Sequence, residues 1–123
     1  MVSNCLENII KDCGIKMSTY TPDSWVIVEL KFNEDTESTR KVLASWYGGY
    51  LGSDRWKLSS GITNIVEHTN HYEIHNASGS IYNCGKHNIG MSGFTSSIFN
   101  SFVTDLEGVG TIEIIDLESE KNV

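Results

Sequence analysis

Trp25-Val26-Ile27-Val28-Glu29-Leu30-Lys31-Phe32 is dense in β-branched and aromatic residues, the composition of an extended strand. Strand side chains alternate between faces, so Val26, Val28, Leu30 and Phe32 fall on one side and Glu29 and Lys31 on the other. The pattern predicts a strand with one wet face. The polar stretch from Asn33 to Ser38 follows as a turn, and Arg40-Lys41-Val42-Leu43-Ala44-Ser45-Trp46-Tyr47 returns as the second arm of a hairpin.

On the N-terminal side of this hairpin, Leu6, Ile9, Ile10 and Cys13 recur at helical spacing. Ser3 or Asn4 stands in a capping position and Gly14 where helices commonly end, which predicts a short helix over 4–13. On the other side, the segment from Trp56 to Glu67 has strand character and is interrupted at Gly61, where a bulge or sharp bend is expected. Tyr72 and Ile74 then alternate with His71, Glu73 and His75. Asn76-Ala77-Ser78-Gly79 supplies turn residues, and Ser80-Ile81-Tyr82-Asn83 comes back as a second hairpin. From Ser92 the period lengthens: Phe94, Ile98, Phe102 and Leu106, with Phe99 and Val103 beside them, predict an amphipathic helix over about 93–107. Thr111 to Leu117 reads as a last strand, and 118–123 as a charged tail that frays. Together these pieces predict an α+β fold. A curled, mostly antiparallel sheet of five or six strands carries an N-terminal helix and one helix packed on it.

The 123 residues are enough for one core, so 1–123 is expected to form a single domain. Sixteen acidic residues against nine basic give a net charge of −7, which repels phosphate backbones and argues against direct nucleic-acid binding. The acidic groups gather in Glu34-Asp35-Thr36-Glu37 and from Asp105 to Glu120. Such runs are most often solvated surface, and they also suit a protein partner with a basic surface. No run approaches the roughly 20 apolar residues of a membrane helix, and the first residues do not resemble a signal peptide. Cys5, Cys13 and Cys84 leave one cysteine unpaired under any disulfide scheme, which fits thiols in a reducing compartment. A cytoplasmic protein without a membrane span is expected. The strand from Thr111 to Leu117 offers an edge for a homodimer, blunted by Glu113 and Asp116.

Two groups of residues carry the candidate chemistry. The first is Ser45-Trp46-Tyr47-Gly48-Gly49-Tyr50-Leu51-Gly52-Ser53-Asp54-Arg55-Trp56, where glycines free the backbone beside rigid aromatic side chains. Trp46, Tyr47, Tyr50, Arg55 and Trp56 are the candidate partner-binding residues. The structural alternative is that Trp46 and Trp56 cap the two ends of the core. The second group is a set of imidazoles and a thiol, zinc's preferred ligands, within twenty positions: His68, His71, His75, Cys84 and His87. A metal site would use His71, His75, Cys84 and His87, and a thiol enzyme would pair Cys84 with His75 or His87. The spacing matches no strong zinc signature, so surface histidines are the simpler expectation and no cofactor is expected. Serines are plentiful, at Ser59-Ser60, Ser78 and Ser80, but no nucleophile elbow surrounds them. Binding is favoured over catalysis. A pocket between the aromatic segment and the turn from Asn76 to Gly79 would make the chain a small-ligand sponge.

Val42-Leu43-Ala44-Ser45-Trp46-Tyr47-Gly48-Gly49-Tyr50-Leu51-Gly52, Trp56-Lys57-Leu58-Ser59-Ser60-Gly61-Ile62 and Ser78-Gly79-Ser80-Ile81-Tyr82, within residues 42–84, resemble small uncharacterised proteins of bacterial phages and prophages. Small acidic proteins of that kind include anti-CRISPR-type inhibitors. The resemblance implies a phage-encoded inhibitor that occludes a host defence complex, with no reaction and no functional residue carried over.

Overall fold

Ser24–Phe32 does form a strand, and in the computed structural model, which describes residues 18–48 and 54–117, it is the centre of the molecule. It is labelled β2, after the two-residue β1, Thr19–Tyr20. The expected wet face exists only at its far end, where Glu29 and Lys31 project. From Ser24 to Val28 every residue is buried, so this half is covered on both faces. The four consecutive apolar residues Trp25-Val26-Ile27-Val28 are the signature of that double burial, because alternation disappears when neither face meets water.

β2 is flanked antiparallel by β3, Thr39–Trp46, and by the last strand β8, Gly110–Ile115. β3 in turn pairs with β4, Arg55–Leu58, giving one sheet of order β4-β3-β2-β8. The close approach of β8 to β2 needs glycine at its first residue: a Cβ on Gly110 would stand 2.6 Å from the Lys31 carbonyl oxygen. The other sheet has the order β1-β7-β6-β5, built from β5, Ile62–Glu67, β6, His71–Asn76, and β7, Ile81–Gly85. In it β1 runs parallel to β7 and the remaining pairs are antiparallel.

The expectation of a single curled sheet of five or six strands is therefore corrected to eight strands, among the described residues, in two four-stranded sheets. Gly61 is the reason. It marks no bend within one strand but the crossover Ser59-Ser60-Gly61, across which the chain leaves one sheet and joins the other. Ser59 pins that crossover: its backbone N–H donates to the Val42 carbonyl at 2.9 Å, and its buried Oγ accepts from Val42 N–H at 2.8 Å. The helix expected over 4–13 and the tail 118–123 lie outside the described residues.

Two apolar layers follow from the alternation along β2 and β3. Trp25, Ile27, Val42 and Ala44 face Tyr72 and Ile74 of β6 and Tyr82 and Cys84 of β7, forming the core between the sheets. Val26, Val28 and Leu43, with Ile112 of β8, pack on the opposite face against Phe99, Phe102 and Leu106. Phe99 and Phe102 belong to α1, Gly93–Asp105, close to the bounds expected from the sequence, and Leu106 is its C-cap. Ser92 caps the helix by accepting from Thr95 N–H at 3.2 Å. The order of layers is sheet, sheet, helix, a member of the α+β class. Trp25 ties the inner layer together, with its indole N–H donating 2.7 Å to the Gly85 carbonyl and its ring edge-on to Tyr72.

Candidate ligand cleft

β1 and β4 are edge strands of different sheets, and the layering brings them side by side. Alternation on β4 aims Arg55 and Lys57 to the side of Trp46 and Ala44, their register partners, and Trp56 to the other side. The Lys57 ammonium lies over the Tyr20 ring of β1, 5.3 Å from its centroid, and so bridges the two edges. A hollow of about 400 Å³ opens on one side of this bridge, lined by Tyr20, Thr21, Trp46, Arg55, Trp56 and Lys57. A second, of about 300 Å³, opens on the other side, where Ser18, Tyr20, Lys57, Ser59, Ser60, Ser78, Ser80 and Tyr82 line it. Tyr20 and Lys57 line both, so the two hollows adjoin at these residues and together are called the cleft below.

The cleft is basic in an acidic chain. Neither Arg55 nor Lys57 meets a carboxylate among the described residues, whereas Arg40 pairs with Glu29 at 3.4 Å and Lys86 with Glu67 at 2.5 Å. The serine end is rich in hydroxyl contacts. Ser60 Oγ donates to Ser78 Oγ at 3.0 Å and accepts from Ser78 N–H at 3.1 Å, and Ser78 Oγ lies 3.1 Å from Ser80 Oγ. Three hydroxyls carry three protons and the two contacts between them use two, so one proton is not used within the set. Gly79, at φ +93°, makes the tight turn that sets Ser78 and Ser80 on this side.

Beneath the turn, the Asn76 amide N–H donates to the Ser80 carbonyl at 3.1 Å and to Ser80 Oγ at 3.4 Å. Its Oδ1 is buried and receives no donor among the described residues. Burial raises the Tyr82 phenol to about 12, with Tyr20 and Cys84 adding to the shift, so it stays a neutral hydroxyl at the cleft floor.

The aromatic candidates do not form one surface. Trp46 is half-buried, belongs to the core between the sheets and donates its indole N–H to the Thr21 carbonyl at 3.1 Å. Its ring meets Tyr20 edge-on at 6.1 Å. Trp56, next to Arg55 in sequence, packs its ring against Phe102 of α1 at 5.5 Å, on the opposite face of the sheet. Tyr47 is exposed beside its anchor, a backbone N–H donating to Asp23 Oδ2 at 2.8 Å. Tyr50 lies outside the described residues. Neither Tyr20 nor Lys57 is marked as a candidate by the sequence. β1 is only two residues long and pairs with a strand some sixty positions away, so no local pattern marks Tyr20.

The histidine set is likewise divided. His71, Glu73 and His75 project outward from β6, as their alternation with Tyr72 and Ile74 requires. Cys84 lies in register with Tyr72, on the core side of the same sheet, fully buried, and burial pushes its thiol up to about 12. A thiol held neutral in that position is no nucleophile at neutral pH. His87 is exposed on the short 3₁₀ turn Lys86–Asn88. The structure therefore separates Cys84 from His71 and His75 by the thickness of a strand.

It brings together His68, Glu73 and His75 instead. Glu73 contacts His68 Nε2 at 3.0 Å and His75 Nε2 at 2.7 Å, and these hydrogen bonds hold its carboxyl below the usual range. His71 stacks on His68 at 4.5 Å. Among the described residues no group of three His, Cys, Asp or Glu side chains is arranged to hold a metal ion.

Comparison with protein-family models, curated proteins and solved structures returns no significant match to this chain. No helix among the described residues is long and apolar enough to cross a membrane.

Proposed function

We propose that this chain is a small binding module whose target is a compact anionic compound held in the cleft between β1 and β4. One observation carries this reading. In a chain with sixteen acidic and nine basic residues, two cations line the same cleft and neither meets a carboxylate among the described residues. A cation in an acidic protein gains from any nearby carboxylate, so two left unanswered together mark a place where negative charge arrives from outside. The proton not used within the Ser60, Ser78 and Ser80 set adds a donor, and Trp46 adds an aromatic wall.

The work is capture, with no bond made or broken. Together with the resemblance to phage proteins, this suggests an inhibitor acting in the bacterial cytoplasm by withdrawing a signalling compound. Native mass spectrometry of the protein purified from a bacterial host tests it. An added mass that matches a phosphorylated or carboxylated compound, and that is missing from Lys57→Gln, supports the proposal. An uncharged cargo, or the same cargo on both proteins, rejects it.

Occlusion of a protein complex is the second reading, favoured by the exposure of Tyr47 and Trp56, 54% and 40%. Large exposed aromatics are common anchors in protein interfaces. Capture of one stoichiometric protein from bacterial extract, lost in a Tyr47→Ala and Trp56→Ala double variant, would favour it.

A further inference from the structure

We propose that the cleft takes a ligand with two separate anionic groups, of the class of short nucleotides bearing two phosphates, with one group held by Arg55 and the other by Lys57. This rests on the anionic-ligand reading above and adds the number, spacing and carrier of the charges.

Arg55 and Lys57 are two residues apart on one face of β4, so their Cα atoms stand about 7 Å apart at roughly 3.3 Å per strand residue. Two cationic side chains rooted at that spacing can each take a separate anionic group, as successive phosphates of a nucleotide chain present them. The cleft is divided in the same way, with Arg55 in the hollow of about 400 Å³ and Lys57 where it adjoins the hollow of about 300 Å³. At the serine end, Lys57 and the one unspent proton of the Ser60, Ser78 and Ser80 chain converge on the second group. Charge-assisted bonds of this kind are the strong ones.

An aromatic base is the natural link between the two groups. The Tyr20 ring is already engaged, by Tyr82 at 4.9 Å and by Lys57 at 5.3 Å. Trp46, half-buried and edge-on to Tyr20, is the aromatic wall that the Arg55 hollow offers a base, and stacking on such a wall is tolerant of base identity. The net charge of −7 sets an upper limit on length. A ligand with two anionic groups meets only the local cations, while a polymer runs onto acidic surface and is repelled.

The test is calorimetric titration of the full chain with 5′-phosphorylated diadenylate, adenosine monophosphate, inorganic pyrophosphate and decaadenylate. Arg55→Gln and Lys57→Gln are titrated alongside, and thermal melting checks each fold. The phosphorylated diadenylate is expected to bind at least tenfold tighter than the monophosphate or pyrophosphate, and no weaker than decaadenylate. Each variant should lose roughly tenfold in affinity for it at unchanged Tm, the size of one lost charged hydrogen bond. Equal affinity for diadenylate and monophosphate, or for diadenylate and pyrophosphate, overturns the two-group proposal and leaves the anionic cleft standing. Tighter binding of decaadenylate than of diadenylate overturns the length limit and with it the ligand class. Binding of none of the four probes overturns the two-group ligand, and a cargo found by mass spectrometry to be uncharged removes the anionic reading as well.

Discussion

The outer face of β6 and the cleft between β1 and β4 are both polar, yet they use their charges differently. On β6, Glu73 is shared between His68 and His75, and nearby Lys86 meets Glu67. In the cleft, Arg55 and Lys57 meet no carboxylate among the described residues, and three serines pass hydrogen bonds along with one proton over. Arg55 and Lys57 are exposed, whereas Glu73, His75 and Lys86 are half-buried, so the cleft cations are the more accessible of the two sets to a ligand and to solvent alike. A surface whose charges answer one another is complete as it stands and contributes little to stability. On the proposed reading, the two cations that meet no carboxylate among the described residues are the ones that serve a ligand.

The strongest way to break the contrast is to remove what both regions hang from. Trp25→Ala empties a nearly fully buried site and the indole bond to Gly85, and should cost about 3–5 kcal/mol in urea denaturation. Ligand capture should then be lost together with the fold. Capture that persisted in the loosened protein would mean that the cleft does not depend on the core between the sheets.

Arg55→Gln with Lys57→Gln sharpens the contrast from the other side. Ligand affinity should fall by roughly a hundredfold, two charged contacts at about tenfold each, while unfolding free energy changes by less than about 0.5 kcal/mol. A large stability loss would place these cations in a structural network like that of Glu73.

Glu73→Gln is the matching change on β6, with a smaller effect. The Glu73 carboxyl is held below its ordinary value of 4.5 by bonds from His68 and His75. A lowered folded-state value gives stability that is present above 4.5 and lost as pH falls through the folded value. The variant should therefore melt slightly below wild type near neutral pH, and the gap should close as the solution is taken below 4.5, without any change in capture at neutral pH. A gap that widens in acid would contradict the assignment.

The smallest effect is an absence of reaction at Cys84. With its thiol pushed up to about 12 and no exposure, only about one molecule in 10⁴ is ionised at pH 8. Peptide mapping after brief alkylation of the native protein should find Cys84 unlabelled, and labelled once the chain is unfolded. Rapid native labelling would place the thiol within reach of the outer histidines and revive the metal and thiol readings.

Much of the architecture is legible wherever a residue's environment depends on close neighbours in sequence. The alternation of Tyr72 and Ile74 with His71, Glu73 and His75 states which face of β6 is wet, and Phe99, Phe102 and Leu106 state which stripe of α1 packs. What fails is long-range. Trp25 to Val28 lacks alternation because two layers cover it, and a strand with one wet face is the nearest local pattern that its neighbours Glu29 and Lys31 suggest. Gly61 is compatible with either a bend or a change of sheet, and only the partners of β4 and β5 decide between them.

The same holds for the site. Arg55 and Trp46 are conspicuous in a stretch rich in aromatics. Trp56, however, points to the α1 side by the same alternation that brings Lys57 to the cleft. Tyr20 is invisible locally, because its partners Tyr82 and Lys57 come from distant strands.

The central claim, that Arg55 and Lys57 serve a ligand and not the fold, is tested most directly by equilibrium dialysis against a small-molecule extract of bacterial cells, with retained compounds read by mass spectrometry. Wild type should retain a phosphorylated compound that the Arg55→Gln and Lys57→Gln double variant, equally well folded, does not. Retention of the same compounds by both proteins, or of none by either, would contradict it.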